Sequence, residues 1–380
     1  MRKRIIAAGL LLAFSAPTPA QPSQDAPSPA ALPTPDTRAQ DIVEAVLAQT
    51  KAPAAALIVV GPQGTLASHA AGVRRAGSAD PVAVGDAWHI GSNAKAMTAT
   101  LALTLAEDGV IDLSDTVKGV LGERYETHRA WADVTLRDLL QHRGGLPPNV
   151  GRLTQSRLMA FGAEDAVGAA KDRRSVLRDV LRRPPKGEVG TFTYSNLGYT
   201  LAGEMLQAAT GIPFETLIQR RLFAPLGMEG AVFGAPRGPD AIRGHRGSPP
   251  TPAPGGFDNP LFMSPAGTIS LPTDAYAAFL TDQLRGQMGL PAFLGPDSYA
   301  LMAAPPEGGR YGLGWIVVED GTLGHSGSNT VWLATAAVDP QAGRAAAVLT
   351  NASTVRSHRE AALAAIRAFA PPQPTERDQP

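Results

Sequence analysis

Strand-like apolar runs sit near both ends of this 380-residue chain while helical periodicity fills the stretch between them, and few folds accommodate that order. Ala54 to Val60 is a short apolar run, Gly61-Pro62-Gln63-Gly64 is a turn, and Thr65 to Val73 resumes the run, which together is a hairpin pattern. Upstream, Asp36 or Thr37 can cap a helix in which Ile42, Val43, Val46 and Leu47 recur on one face. Toward the other end, Leu313 to Val318, Val331 to Val338 and Ala345 to Leu349 read as strands, and Glu360 to Phe369 as a closing helix. In between, Ser92 to Glu107 predicts a largely buried helix ending near Asp108-Gly109. Asp115 to Leu121, Leu136 to His142, Ser175 to Leu181 and Leu197 to Thr210 show short helical periods broken by Gly or Pro. The simplest architecture is α/β (α+β): an antiparallel sheet built from both chain termini and flanked by helices, with a central α-helical lobe inserted between its halves, over residues 36–370.

A content of 44% apolar and 18% charged residues supplies enough core for such a two-lobed unit and confines disorder to local segments. Formal net charge is zero and no long block of one sign occurs, so a nucleic-acid surface has no compositional basis. Arg2, Lys3 and Arg4 precede an apolar run from Ile5 to Phe14, and small residues Thr18 and Ala20 follow. That arrangement predicts a signal peptide over residues 1–20 and an exported protein, periplasmic or secreted. The run falls short of the ~20 residues a spanning helix needs, so no membrane span is expected in the mature chain. Residues 21–35, rich in Pro, Ser and Ala, read as a disordered tether, and residues 371–380 as a disordered tail. The chain contains no cysteine, which removes disulfides, thiolate chemistry and a lipid-anchor cysteine.

Three short stretches carry side chains suited to chemistry. In Ser92-Asn93-Ala94-Lys95, serine and lysine three apart on a helix project from the same face and can meet. A lysine titrating near its usual ~10.4 cannot accept a proton at neutrality, so such a pair needs a dry or electropositive setting. Burial at a helix start supplies both, and the free N–H groups there suit an oxyanion. The same residues also fit a plain helix cap, with Ser92 as N-cap and Lys95 solvated, although a cation is unfavourable in a first turn. No other lysine in the chain has serine three residues before it. Tyr194-Ser195-Asn196 looks like a short loop entering a helix. A phenol beside a lysine has a reason to lose its proton below its usual ~10, and can act as base and then acid; the alternative is a packed tyrosine with Asn196 as cap. His325-Ser326-Gly327-Ser328 sits on an expected strand, where His325 would supply a hydrogen bond or positive charge. Gly327 would let a substrate lie against the backbone, and the Ser328 N–H would complete an oxyanion hole with that of Ser92. A surface histidine in a turn is the competing account.

Ser92-x-x-Lys95, Tyr194-x-Asn196 and His325-x-Gly327, in that order, resemble the serine β-lactamase, penicillin-binding DD-peptidase and family VIII-type esterase superfamily. Flanking stretches agree: His89-Ile90-Gly91, Leu139 to Leu146, Tyr194 to Tyr199, Pro265-Ala266-Gly267 and Tyr311-Gly312-Leu313-Gly314-Trp315. The similarity covers residues 36–370. It implies a serine hydrolase in which Ser92 forms an acyl-enzyme on an amide or ester, Lys95 and Tyr194 share the proton transfers, and Asn196 orients Lys95 and a substrate amide. In that scheme His325 steadies substrate or leaving group, and Ser92 and Ser328 supply the oxyanion donors. The sequence departs from the S-D-N and K-T-G boxes of one β-lactamase class, with tyrosine heading the second box and histidine replacing the lysine of the third. Arg143 also stands where the family often has a small hydroxyl residue, and no deacylating glutamate can be assigned. The implied substrates are, in order, a D-amino-acid peptide or amide, a small ester and a β-lactam, with a non-catalytic peptidoglycan-peptide or partner-binding relative as the other class. A G-x-S-x-G elbow and an H-E-x-x-H motif are both missing, so neither an α/β-hydrolase nor a zinc hydrolase is expected, and no metal or cofactor is called for. Trp88, Trp315, Trp332 and the Pro- and Gly-rich stretch from Arg237 to Gly256, a rim loop by length, are further residues that could line a cleft.

Overall fold

Helix α1 (Arg38–Thr50) buries Ala39, Val43, Val46 and Thr50, positions that fall on one face at helical spacing. The computed structural model describes residues 37–371, so the predicted signal peptide, the tether and nearly all of the predicted tail lie outside the described residues. Thr37 occupies the N-cap position without making a capping bond. The expected hairpin follows as β1 (Ala54–Gly61) and β2 (Gly64–Gly72).

The middle of the chain is helical. In α2 (Ala94–Glu107) the twelve residues from Ala94 to Leu105 are all buried, so this helix runs through the interior with no solvent face. Of the helices that follow, α3 (Ala166–Leu181), α4 (Asn196–Thr210) and α5 (Thr273–Gln287), α4 packs on α2 and α5 reaches it through Gln283, which donates to Thr100 Oγ1 at 3.4 Å. The sequence marks only the second half of α3, because its first half buries Ala169, Ala170 and Arg173 in place of large apolar residues. The chain then returns through β3 (Ile316–Val317), β4 (Leu323–Ser328), β5 (Leu333–Asp339) and β6 (Arg344–Thr350) to α6 (Arg359–Phe369). Of the strand expected over 313–318 only two residues pair. A turn bonded from Gly312 N–H to Trp315 O reverses the chain there and drives Leu313 and Trp315 into the core.

The main sheet has the order β2-β1-β6-β5-β4-β3 with antiparallel neighbours, so the last strand pairs with the first, Ala55 opposite Thr350 and Ile58 opposite Ala347. Every residue of β1 is buried because both faces are covered. Ala54, Ala56, Ile58 and Val60 join the large core that includes α2, whereas Ala55, Leu57 and Val59 meet Val43 and Val46 of α1 and Ala362 and Ile366 of α6. That large core is continuous from the sheet into the helical lobe, where it includes Leu136 and Leu177. Trp88, Trp315 and Trp332 are fully buried within it and line no cleft. The Arg237–Gly256 stretch is not a bare loop either: a two-residue pairing of 245–246 with 251–252 shapes it, and buried His245 ties it to Ala76 N and Asn351 O. Its residues Asp240 and Arg243 pack beside Arg74, not at the site described next.

Candidate active site

The Ser92 region begins with a single tight turn, Gly91–Asn93, leading into α2. Asn93 takes the cap position, and its side-chain amide donates to Ile90 O at 2.8 Å and to Ala334 O of β5 at 3.2 Å, fixing the turn on the sheet. Ser92 is therefore not spent as a cap. Lys95, one turn on, is completely buried, and its Nζ lies 3.0 Å from Ser92 Oγ, 2.8 Å from Asn196 Oδ1 and 2.6 Å from Ala266 O. All three partners are neutral oxygens. Burial without a carboxylate drives its pKa well below the ordinary value. An amine that has given up its proton at this position donates to the two carbonyl-type oxygens, which accept only, and turns its lone pair to the Ser92 hydroxyl.

Ser195 is what frees Asn196. Its Oγ accepts from Gly198 N at 2.9 Å, capping α4, and donates to Pro147 O at 2.6 Å. The Asn196 amide then faces the site, accepting from Lys95 and donating to Asn149 Oδ1 at 2.9 Å. The Tyr194 ring lies 4.9 Å from Lys95 Nζ, and its hydroxyl stands beside that of Ser92. Burial raises the Tyr194 pKa above the ordinary phenol value. This corrects the expectation of an easily ionised phenol, since burial disfavours the phenolate.

Strand β4 brings His325, Gly327 and Ser328 alongside. The His325 ring is 6.2 Å from that of Tyr194, but both its nitrogens are occupied, Nδ1–H donating to Ser326 O at 3.0 Å and Nε2 accepting from Tyr311 Oη at 3.1 Å. Burial, then the Lys95 ammonium when charged, lowers its pKa to about 3. The imidazole is thus neutral at physiological pH, and the positive charge expected of it is not available. Gly327 also serves differently from the expectation. A Cβ built on it would fall 2.3 Å from Ile90 O and 2.4 Å from Ser92 N, so the space it leaves is filled by the nucleophile turn and not by a substrate. Gly91 (φ +54) is the reciprocal case, its Cβ position lying 2.5 Å from Ser328 N. Two glycines thus allow the backbone at Ser92 and the backbone at Ser328 to lie in contact, the arrangement a pair of oxyanion donors needs.

The family model described as Beta-lactamase matches residues 39–370. The chain belongs to the beta-lactamase family. This is a family of serine hydrolases, and the first two boxes of its signature, brought together from distant parts of the sequence, are the groups that meet at Ser92. Among curated relatives, Penicillin-binding protein 4 of Amycolatopsis lactamdurans is 27% identical over 355 residues, covering 84% of this chain and 86% of that protein. Two solved structures share the beta-lactamase fold. The octameric penicillin-binding protein homologue from Pyrococcus abyssi has a TM-score of 0.69 at 21% identity, over 89% of this chain and 77% of that one. The D-amino acid amidase of Ochrobactrum anthropi SV3 has a TM-score of 0.68 at 21% identity, over 87% and 96%.

Several residues of this beta-lactamase-family site carry no signal on their own in the sequence. Ala266 contributes only a carbonyl, and Asn149 acts through Asn196. His142 lies at the centre of a ring of aromatic side chains, 4.2 Å from Tyr194 and 4.5 Å from Tyr311 between centroids, with Nδ1 accepting from Ser195 N at 3.0 Å. Burial, then the nearby Lys95 and His325, lower its pKa to about 2, so it packs as a neutral ring under the catalytic loop. Beside Tyr194 a groove of about 410 Å³ is walled by Phe192, Tyr311, Ile316, Arg310 and Arg143. Arg310 is paired with Glu319, whereas the Arg143 guanidinium makes no ion pair among the described residues. Among the described residues no cluster of three or more His, Asp or Glu side chains is gathered as a metal ion requires.

Proposed function

We propose that this chain hydrolyses an amide through a covalent acyl-enzyme on Ser92, with a D-amino-acid peptide that ends in a free carboxylate as the preferred substrate. One observation carries the reading: Lys95 is buried against three neutral oxygens with its Nζ 3.0 Å from Ser92 Oγ. Lys95 takes the Ser92 proton as Oγ attacks the carbonyl carbon, and the N–H groups of Ser92 and Ser328 hold the tetrahedral oxyanion. Tyr194, protonated because burial raises its pKa, donates to the departing nitrogen. Water then attacks the acyl carbon and gives a proton to the Tyr194 phenolate while the Lys95 ammonium returns its proton to Ser92 Oγ, which releases the acid and restores all three side chains. His325 acts as a neutral prop for Tyr311 in the groove wall, and Asn196 aligns Lys95.

The substrate preference is supported by the groove at Tyr194, since the residue that protonates the leaving group also lines the space into which that group extends. Its apolar wall and the unpaired Arg143 favour a leaving group with a small apolar body and a carboxylate, for which a guanidinium is a good fork. The name of the D-amino acid amidase agrees with a D-configured amide. An ester with an apolar leaving group fits the same groove and is the second substrate. We also read the protein as exported, on its N-terminal sequence; no helix among the described residues is long and apolar enough to cross a membrane. The test compares a D-Ala-D-Ala peptide, the same peptide with its C-terminus amidated, a p-nitrophenyl ester and nitrocefin, using wild type and Ser92→Ala. Turnover of the free-acid peptide above its amide, lost in Ser92→Ala, supports the proposal. Equal turnover of acid and amide removes the carboxylate preference, and a wild-type protein that binds these compounds without acylation is a non-catalytic relative.

A further inference from the structure

Outside the groups that face the substrate, one buried carboxylate is connected to both halves of the oxyanion site. The Asp258 side chain is only 4% exposed. Its Oδ1 accepts from Asn329 Nδ2 at 2.7 Å, and Asn329 is the residue after Ser328. Its Oδ2 lies 2.9 Å from His89 Nε2, a contact in which neither atom has another partner among the described residues. His89 Nδ1 in turn accepts from Gly91 N at 3.1 Å, and Gly91 is the residue before Ser92. Since Nδ1 accepts, the imidazole proton is on Nε2, the nitrogen in close contact with the carboxylate but off the line of a hydrogen bond. The far side of Asn329 is anchored as well, Oδ1 accepting from Trp332 N at 3.1 Å.

We infer that Asp258 is a positioning residue that sets the spacing of the Ser92 and Ser328 N–H donors by tying the two backbones that carry them. The inference rests on the oxyanion role given to those donors above. Gly91 and Gly327 let the two backbones touch, but contact alone leaves them free to slide, because neither glycine has a side chain to fix the register. A single carboxylate that accepts from one arm and faces the imidazole of the other removes that freedom. His89 and Asn329 are therefore fastened to one another through Asp258, with no direct contact to the substrate. Removing a well-placed oxyanion donor costs ~10²–10³ in rate, and shifting both by a fraction of an ångström costs less than that.

The test uses the rate at which a fluorophosphonate labels Ser92, the affinity of phenylboronic acid measured by competition with that labelling, and kcat and KM on p-nitrophenyl acetate. In Asp258→Ala the labelling rate and kcat should fall about 10- to 100-fold, boronate affinity should fall in step because its tetrahedral adduct occupies the oxyanion hole, and KM should hold within about 2-fold. Asn329→Ala should show the same pattern more weakly, and the double variant should lose no more than Asp258→Ala alone, since both cut one tie. Asp258→Asn keeps the shape and an acceptor for Asn329 and should recover part of the loss. Labelling and boronate affinity at wild-type levels in Asp258→Ala would overturn the inference, as would independent, multiplicative losses in the double variant. A wild-type protein that fluorophosphonate does not label on Ser92 fails the catalytic reading itself.

Discussion

Arg173 in the helical lobe and Lys95 at the site are both cut off completely from water, yet among the described residues only Arg173 has a counter-ion. The Arg173 guanidinium meets the Glu215 carboxylate and adds hydrogen bonds to Gln207 Oε1 at 3.2 Å and Phe262 O at 3.1 Å. Lys95 meets a hydroxyl, an amide oxygen and a peptide carbonyl. Burying an ion costs several kcal/mol unless it is paired, so the two side chains respond differently. A guanidinium cannot give up its proton and must be matched, whereas an amine can relieve the cost by becoming neutral. The helical lobe uses its buried cation to hold α3 beside the segments at 207–215 and 262. The site leaves its amine unmatched, which is what the base proposed for Ser92 requires.

The sharpest way to break this comparison is to put the unrelievable ion at the functional position. Lys95→Arg should lower the rate of Ser92 acylation by about 10⁴-fold, since a permanently charged group cannot accept the serine proton. Fluorophosphonate labelling of folded protein measures this, and retention of even a tenth of the rate would show that another group is the base. The converse change acts on stability. Arg173→Met leaves Glu215 as a bare buried carboxylate and should cost about 3–5 kcal/mol in urea unfolding. Adding Glu215→Leu should return most of that, while labelling per folded molecule stays at the wild-type rate throughout. A loss of labelling in the folded Arg173 variant would mean the two regions are not independent.

A milder change gives Lys95 the partner that Arg173 already has. Asn196→Asp places a carboxylate 2.8 Å from Nζ, where it favours the ammonium and raises the Lys95 pKa. Acylation at neutral pH should drop about 10- to 100-fold and recover as pH rises, because the base must be deprotonated. In the wild type the acid limb of kcat/KM lies well below the usual lysine range and the alkaline limb above the usual phenol value, given the lowered Lys95 and the raised Tyr194. The Asn196→Asp profile should shift its acid limb upward and leave the alkaline one in place.

The same contrast explains what the sequence disclosed. The sheet from both termini was legible because β1 and β6 are continuous apolar runs bounded by turns, and the order of the three boxes carried the resemblance to the family. The convergence of Ser92, Lys95, Tyr194 and Asn196 follows from it. The direction of the Tyr194 shift was not legible, because it depends on a burial of the phenol that no local pattern records. His325 was misjudged for the same reason: its neutrality comes from burial first and the nearby Lys95 second, neither of which a local pattern records. Gly327 was recognised as a place where something lies close, but which backbone lies there is a fact of packing between segments more than two hundred residues apart. Arg173 offered no signal, since a buried arginine looks like any other polar position in a helical period.

The smallest expected effect bears most directly on the Lys95 side of the contrast. With its folded-state pKa held below the ~10.4 of the unfolded chain, Lys95 binds a proton on unfolding at every pH between those two values. Unfolding is therefore favoured increasingly as pH falls through that window, and stability from this group rises with pH until ~10.4, above which it is level. Lys95→Met has no such proton to bind. Its absolute stability is not the informative quantity, because Asn196 Oδ1 and Ala266 O lose a donor in the same change. The informative quantity is the difference between wild type and Lys95→Met, which should move in favour of wild type by at most ~1.4 kcal/mol per pH unit as pH rises across the window. Chemical unfolding of both proteins at several pH values between 6 and 10 measures it, and parallel curves would mean that Lys95 is protonated in the folded enzyme as it is in the unfolded chain.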